Sequence, residues 1–326
     1  MSGAPILFHL GLHKTASTTL QRELFVPDYG FAQNDGRDWI LPAFVDKAAT
    51  EPLGAAELAK LHRFVEASHA EGLFPVASHE RLSGYPYSGG YDRLSILHRI
   101  HGTGLDVRIL LIVREQASWL YSAWKQVIMD GGAIGLDEFV GRASHRATVR
   151  VPPPRLEFLN YAREIEVLNG LFGARNVCVV PLELMARDFP AFVARLDGAV
   201  RGPRPIPATG ALSQRNEGRA LSTLYANRAM NGLILRSEMS PGGLIPTRSG
   251  LGRAVRKAGR RLAGRLPALP AEGRRAAAHK RAVAAAVGSY YDEINARASE
   301  LISLDLSAYG YRTGRTVGRD GDRDGT

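Results

Sequence analysis

Cysteine is almost absent: Cys178 is the only one in 326 residues. A single thiol excludes an intrachain disulfide and a cysteine-rich metal site, and it fits a reducing compartment. It lies in the apolar run Val177-Cys178-Val179-Val180 and reads as a buried core thiol. No apolar run reaches the roughly 20 residues that span a bilayer as a helix. No basic, apolar leader follows Met1, so a secretory signal is not expected, and no internal repeat is visible. Acidic residues are nearly missing from one stretch. From Arg253 to Arg281 ten Lys and Arg stand against Glu272 alone, which accounts for most of the formal net charge of +10. A basic partner surface is therefore local. Nucleic acid is not the expected partner, because the stretch has no interleaved aromatics and no nucleic-acid motif accompanies it.

What is present is a chain 45% hydrophobic and 23% charged, suited to one large α/β domain or two small ones. It is organised around residues 5–21. Ile6, Leu7, Phe8 and Leu10 form a short apolar run, a buried strand. Gly11 permits a sharp bend. Ser17, Thr18 and Thr19 suit a helix N-terminus, where hydroxyls and free N–H groups collect. Strand, loop and helix opening together favour an anion. The order is not the G-x-x-x-x-G-K-[ST] of a nucleotide triphosphatase. Counting from Gly11, Ala16 stands at the second glycine, Ser17 at the lysine and Thr18 at the Ser/Thr position, while the lysine comes three residues earlier as Lys14. Cradle and cation remain without the usual Lys-Ser/Thr pair beside magnesium, so a phosphate-like group is expected and no metal. The plain alternative is a turn and a capped helix that bind nothing.

Further strands are expected over 73–78, 107–113 and 176–181, the first with a proline that suggests an edge or an irregular start. Helices are expected over 55–69, 92–101, 118–126, 155–172 and 189–196. Alternation of this kind predicts a P-loop-like parallel sheet covered by helices on both faces. Residues 30–50 are turn-rich and carry no assignment, and 201–207 reads as a linker. Beyond it, helices over about 219–235, 253–265, 274–287 and 290–301 give a helical, basic C-terminal portion, and 312–326 reads as a disordered tail. The expected organisation is one domain over 1–311, with its core in 4–200. Ligands of such sheets bind at the carboxyl ends of the strands. Gly11 to Thr19, His79-Glu80 and Arg114 all follow strands. Arg114 and Ser122, eight residues apart, offer a guanidinium and a hydroxyl for a second phosphate.

Taken together, these residues resemble the cytosolic and bacterial sulfotransferases that use 3′-phosphoadenosine 5′-phosphosulfate (PAPS). The 5′-phosphosulfate loop of that family, roughly P-K-[TS]-G-T-[TS]-x-L, is matched by His13-Lys14-Thr15-Ala16-Ser17-Thr18-Thr19-Leu20. The 3′-phosphate motif, an Arg at a strand end and a Ser eight residues on, is matched by Arg114 and Ser122. The run Val177 to Leu184 resembles the family's strand followed by E-x-L. The match covers about residues 4–200 and, weakly, 290–311. His13 stands for Pro, Ala16 for Gly and Ser17 for Thr.

The resemblance implies a PAPS donor and an acceptor hydroxyl or amine on a carbohydrate, lipid or small metabolite. It implies that Lys14 neutralises the bridging oxygen. Gly11, His13, Thr15, Ala16, Ser17, Thr18 and Thr19 would line the donor loop, and Arg215 would close over the 3′ phosphate. It also implies a base shortly after the second strand, Glu80 ahead of His79, with His13 third. Trp119, Tyr121 and Trp124 read as core, with one of them a candidate adenine stack; Tyr85 and Tyr87 are candidates for the acceptor pocket. Residues 253–281 read as a solvated face, as an attractor for an anionic acceptor, or as an amphipathic contact with the inner membrane face of a cytoplasmic protein. Two other functions remain open, a P-loop small-molecule kinase and a non-catalytic protein that binds anions or a membrane surface.

Overall fold

Period-two alternation along the strands sets the two sides of the sheet. In β1 (Pro5–Gly11), Ile6, Phe8 and Leu10 face one core and Leu7 the other. The computed structural model describes residues 3–34, 39–86, 92–141, 155–202, 205–207, 220–237 and 239–314. The loop after β1 leads into α1 (Ser17–Glu23), β2 (Phe31–Asn34), α2 (Ala55–Ala70) and β3 (Phe74–His79). A single-turn 3-10 helix, Glu80–Ser83, precedes α3 (Arg93–His101), β4 (Asp106–Val113), α4 (Gln116–Asp130) and α5 (Leu136–Phe139). The sheet is completed after α6 (Tyr161–Phe172) by β5 (Val177–Pro181), which is followed by α7 (Leu182–Arg187) and α8 (Phe189–Val200). The C-terminal portion holds α9 (Leu221–Leu233), a small pair β6 (Leu235–Arg236) and β7 (Ile245–Pro246), then α10 (Gly250–Ala263), α11 (Glu272–Val287) and α12 (Asp292–Ile302).

Five strands pair in the order β2-β3-β1-β4-β5, all parallel. Helices cover both faces, with a helical C-terminal region. One core joins Phe8, Ile109 and Leu111 to Leu61 of α2, Ile100 of α3, Trp119 of α4 and Leu168 of α6. The other joins Leu7, Leu110, Ile112 and Cys178 to Leu20 of α1 and Phe192 of α8. The chain crosses from β3 to β4 over β1, so the strand order reverses at the carboxyl end of β1, where the loop 12–16 emerges. Among the described residues no helix is long and apolar enough to cross a membrane.

The expected strands and helices are found; the short α5, α7, β6 and β7 are additional, and four further differences stand out. β3 is interior, and Pro75 fits because it pairs only toward β2, ahead of the β1 register that opens at Leu7 with Val76. The unassigned residues 30–50 contain the edge strand β2. The helix expected over 155–172 breaks at Asn160, whose Oδ1 accepts from the Arg163 N–H at 3.0 Å and caps α6. Part of the expected linker packs into the second core through Ile206, whose N–H reaches Asp197 Oδ1 at 3.0 Å. The tail from 315 onward lies outside the described residues. Cys178 is buried, its thiol pKa pushed up to about 12 by burial, as a core thiol requires.

One polar group beneath the site holds two helices together. Glu164 of α6 is buried, and burial raises its pKa even against the Arg93 guanidinium of α3, 3.1 Å away. Arg93 lies over the Phe158 ring and donates from Nε to the Ser83 carbonyl at 2.7 Å. Removing one partner of a buried pair leaves the other charge uncompensated. Glu164→Ala is therefore expected to lose about 3–5 kcal/mol in urea unfolding. An unchanged midpoint would show that Arg93 finds its compensation elsewhere.

Candidate functional site

The site is built on one loop whose first four carbonyls, from Gly11 to Lys14, are bound by side chains of the protein. The Gly11 carbonyl accepts from Ser83 Oγ at 3.2 Å, and the Leu12 carbonyl from Thr15 Oγ1 at 2.6 Å. The His13 carbonyl accepts from Trp119 Nε1 at 2.6 Å, and the Lys14 carbonyl from Arg114 Nη1 at 2.9 Å. Lys14 and Ala16 adopt φ of 68° and 60°, in the left-handed region. A peptide run of this kind points its N–H groups to the other side and makes an anion nest. Among the described residues nothing accepts from the backbone N–H of Lys14, Thr15, Ala16, Ser17 or Thr18. Ser17 Oγ is buried and has no hydrogen-bond partner there either. Gly11 is needed for close approach: a Cβ would press on Ser17 Oγ and lie 3.4 Å from the Glu80 Cα. An orphaned hydroxyl, free N–H groups and a glycine cradle fit a phosphate or phosphosulfate group.

Ala16 explains why glycine stands at this place in the resembled loop. A φ of 60° costs an L-residue about 1–2 kcal/mol. Alanine is held there by the carbonyl bonds that precede it and by its own carbonyl, which accepts from the Thr19 and Leu20 N–H groups at 2.9 and 3.1 Å. The Thr15 hydroxyl proton is already given to Leu12, so toward a ligand Thr15 presents its N–H. Thr18 is exposed and Thr19 buried.

Four cationic side chains gather beside the loop. Burial and the neighbouring Arg114 pull the Lys14 pKa down, against Glu80 and Asp130. Burial, Arg114, Lys14 and Lys280 pull down that of Lys125. Like charges sharing a half-buried space disfavour one another and favour an anionic ligand. Lys14 Nζ donates to Gln126 Oε1 at 3.1 Å. Ser118, Ser122, Lys125 and Gln126 share one stripe of α4 at helical spacing, so Ser122 faces the same side as the Lys14 contact. The turn into α4 is braced from behind. Tyr161 OH donates to the Arg114 carbonyl at 2.7 Å, and Glu183 accepts from the Glu115 N–H at 3.2 Å and from Tyr311 OH at 3.1 Å.

On the β3 side, Glu80 is half-exposed at the mouth, its Oε1 3.7 Å from His13 Nε2. This is no ion pair at neutral pH, because burial, with Arg81 and Lys14, brings the His13 pKa down to about 4. His79 is turned into its own chain, with Nδ1 accepting from the Arg81 N–H at 3.0 Å. Its other ring nitrogen then carries the proton and is no acceptor. The His13 ring stands 5.8 Å from that of Tyr85, over which Arg81 lies at 4.9 Å.

The candidate residues of the loop, Glu80, Arg114 and Ser122 therefore converge at the strand ends. Arg215 and Tyr87 lie outside the described residues. Trp119, Tyr121 and Trp124 are buried core, and Trp119 also holds the loop. Lys125, Gln126 and Lys280 were not anticipated. The first two could have been read from the stripe that Ser118 and Ser122 begin, but Lys280 arrives by a distant fold-back of α11.

Comparison with known proteins agrees at the level of fold. A crystal structure of a sulfotransferase from Alicyclobacillus acidocaldarius aligns with a TM-score of 0.53, covering 94% of this chain and 98% of that one. Identity is 16%, so the likeness is one of scaffold. No family model matches the sequence, and no curated protein does.

The buried histidines give the protein an acid limit. His9, wholly buried against Phe25 and bonded through Nδ1 to Ser78 Oγ at 2.7 Å, has its pKa lowered by burial to about 3. In the unfolded chain both histidines take up protons below about pH 6.5. The fold resists this until about 4 for His13 and about 3 for His9. Stability is therefore full above the unfolded pKa and falls as pH drops through that window, by about 3 kcal/mol for His13 alone. Urea midpoints should fall less between neutral pH and about pH 4 in His13→Gln than in the wild type. Equal falls would contradict the assignment of a neutral, buried His13.

Proposed function

We propose that the chain is a PAPS-dependent sulfotransferase. It moves a sulfuryl group from 3′-phosphoadenosine 5′-phosphosulfate to a hydroxyl or amine of a carbohydrate, lipid or small-metabolite acceptor. The proposed catalytic domain runs over 1–311. The observation that carries the reading is the loop with its carbonyls bound inward, bracketed by Lys14 and Arg114 at two adjoining strand ends. That arrangement suits a donor with two separated phosphate groups on one nucleoside.

In this reading the N–H groups of residues 14–17 and Ser17 Oγ hold the 5′ phosphosulfate. Arg114, Ser122 and Lys125 receive the 3′ phosphate, with Arg215 closing over it. Sulfuryl transfer asks mostly for alignment and for stabilisation of charge on the departing oxygen. The acceptor oxygen or nitrogen attacks sulfur in line, and the bond from sulfur to the bridging oxygen of the donor breaks. Lys14 neutralises the negative charge left on that oxygen, and Glu80 takes the acceptor proton. Glu80 is favoured over His79 because its side chain is half-exposed at the mouth, whereas the acceptor nitrogen of His79 already binds the Arg81 N–H.

The test follows release of 3′-phosphoadenosine 5′-phosphate from PAPS across a panel of hydroxyl and amine acceptors. Wild-type protein is expected to show acceptor-dependent release. Glu80→Gln should lower kcat about 10²–10⁴-fold with donor binding retained. Full turnover in Glu80→Gln would remove it as the base. Acceptor-independent or absent release across the panel, with magnesium-dependent ATP turnover instead, would replace the sulfotransferase reading with a kinase.

A further inference from the structure

Helix α10 is held tightly on one side and left apolar on the other. Its inner side is fixed by close approach and by capping. A Cβ on Gly252 would collide with the Pro246 carbonyl, and one on Gly259 with the Met230 sulfur. Thr223 Oγ1 donates to the Ala263 carbonyl at 2.9 Å. Arg256 and Arg260 reach back to the carbonyls of Asp130 and Met129 at the end of α4, where the helix dipole is negative. The helix cannot roll to hide its outer side without breaking these contacts.

That outer side carries two adjacent stripes. Leu251, Ala258 and Leu262 fall within about 40° of one another on a helix that turns about 100° per residue. Leu251 and Leu262 are 63% and 64% exposed. Arg253, Lys257 and Arg261, spaced by four, form the neighbouring stripe, and all three are exposed. Two more exposed leucines lie on or beside the elements that pack against this helix. Leu233 at the end of α9 is 73% exposed, and Leu244 before β7 is 80% exposed and bonded by its N–H to the Ile234 carbonyl. Scattered exposed leucines need no explanation, but a leucine stripe bordered by cations on a rigidly seated helix is the pattern of a helix lying in a lipid interface.

We propose that α10, with Leu233 and Leu244 beside it, docks the protein on an anionic membrane surface, its leucines entering the headgroup region and Arg253, Lys257 and Arg261 pairing with lipid phosphates. Charge complementarity selects this occupant. A second copy of the chain would offer Arg253, Lys257 and Arg261 no anionic stripe from this face, and a soluble polyanion would use the cations but leave the leucines in water. Through Arg256 and Arg260 the docked helix grips the end of α4, one turn beyond Gln126 and its Lys14 contact. The candidate site is thus linked through the end of α4 to the docked helix, whatever donor it uses.

The test is co-sedimentation of the full chain, without nucleotide, with vesicles of phosphatidylcholine alone or with roughly one third phosphatidylglycerol. Binding is expected only with the anionic lipid and should weaken at high salt. Leu251→Ser with Leu262→Ser should reduce the partition by roughly tenfold or more, and Arg253→Glu with Lys257→Glu and Arg261→Glu should abolish it. All these residues are exposed, so the thermal midpoint should hold, as should any turnover of a soluble acceptor by the leucine variant. Three results would overturn the proposal: no preference for anionic vesicles, leucine variants that bind vesicles as the wild type does while the wild type binds heparin equally well, or a wild-type dimer in light scattering that the leucine substitutions dissociate. Because no nucleotide enters the experiment, its failure leaves the sulfotransferase reading untouched.

Discussion

Four consecutive carbonyls, from Gly11 to Lys14, are bound by side chains, and the site depends on those bonds. Two left-handed residues without the freedom of glycine, Lys14 and Ala16, cost about 1–2 kcal/mol each. A neutral hydrogen bond returns about 1 kcal/mol, and one from a guanidinium about 1.5–3. Ser83 shares its one hydroxyl proton between the Gly11 and Glu80 carbonyls, but the other three bonds alone match or exceed the strain, so the loop holds its shape before any ligand arrives. The donors come from separate places: the turn after β3, the loop itself, the end of β4 and the first turn of α4. Loop geometry therefore reports on the register of β1 with both of its neighbours.

The electrostatics follow from the same framework. Orienting carbonyls inward leaves N–H dipoles facing the crevice, and the strand ends add Lys14 and Arg114. Lys125 and Lys280 enlarge the cluster, while Glu80 and Asp130 moderate it at the mouth. Burial first, and the neighbouring cations second, depress the two lysine pKa values, and an anion bound between them relieves both effects. Behind the crevice the buried Arg93–Glu164 pair fixes the carbonyl of Ser83, whose hydroxyl in turn holds Gly11. A chain of polar contacts thus runs from the helix layer to the loop.

Much of this was legible in the sequence because local rules and the fold agree. Apolar runs marked β1, β4 and β5, and the spacing of the motifs put Lys14 just beyond β1, Arg114 at the end of β4 and Ser122 on the helix that follows. β2 escaped because Phe31-Ala32-Gln33-Asn34 is too short to show a period. The break at Asn160 escaped because a capping side chain leaves the helical pattern around it intact. Lys280 is brought in by tertiary folding, which no local spacing encodes. The role of Trp119 was half visible: its apolar neighbours marked it as core, but its indole N–H bond to the His13 carbonyl depends on how α4 packs against the loop. In the basic stretch, composition showed the charge, but only the seating of α10 revealed which leucines it leaves outside.

The central claim is that one preorganised loop and Arg114 form two halves of a single nucleotide site. Calorimetric titration with 3′-phosphoadenosine 5′-phosphate, without magnesium, tests it most directly. The account predicts binding by the wild type and a loss of roughly tenfold or more in both Lys14→Ala and Arg114→Ala, each still folded by its thermal midpoint. Binding that survives both substitutions, or binding of ATP with none of the 3′-phosphorylated nucleotide, would contradict it.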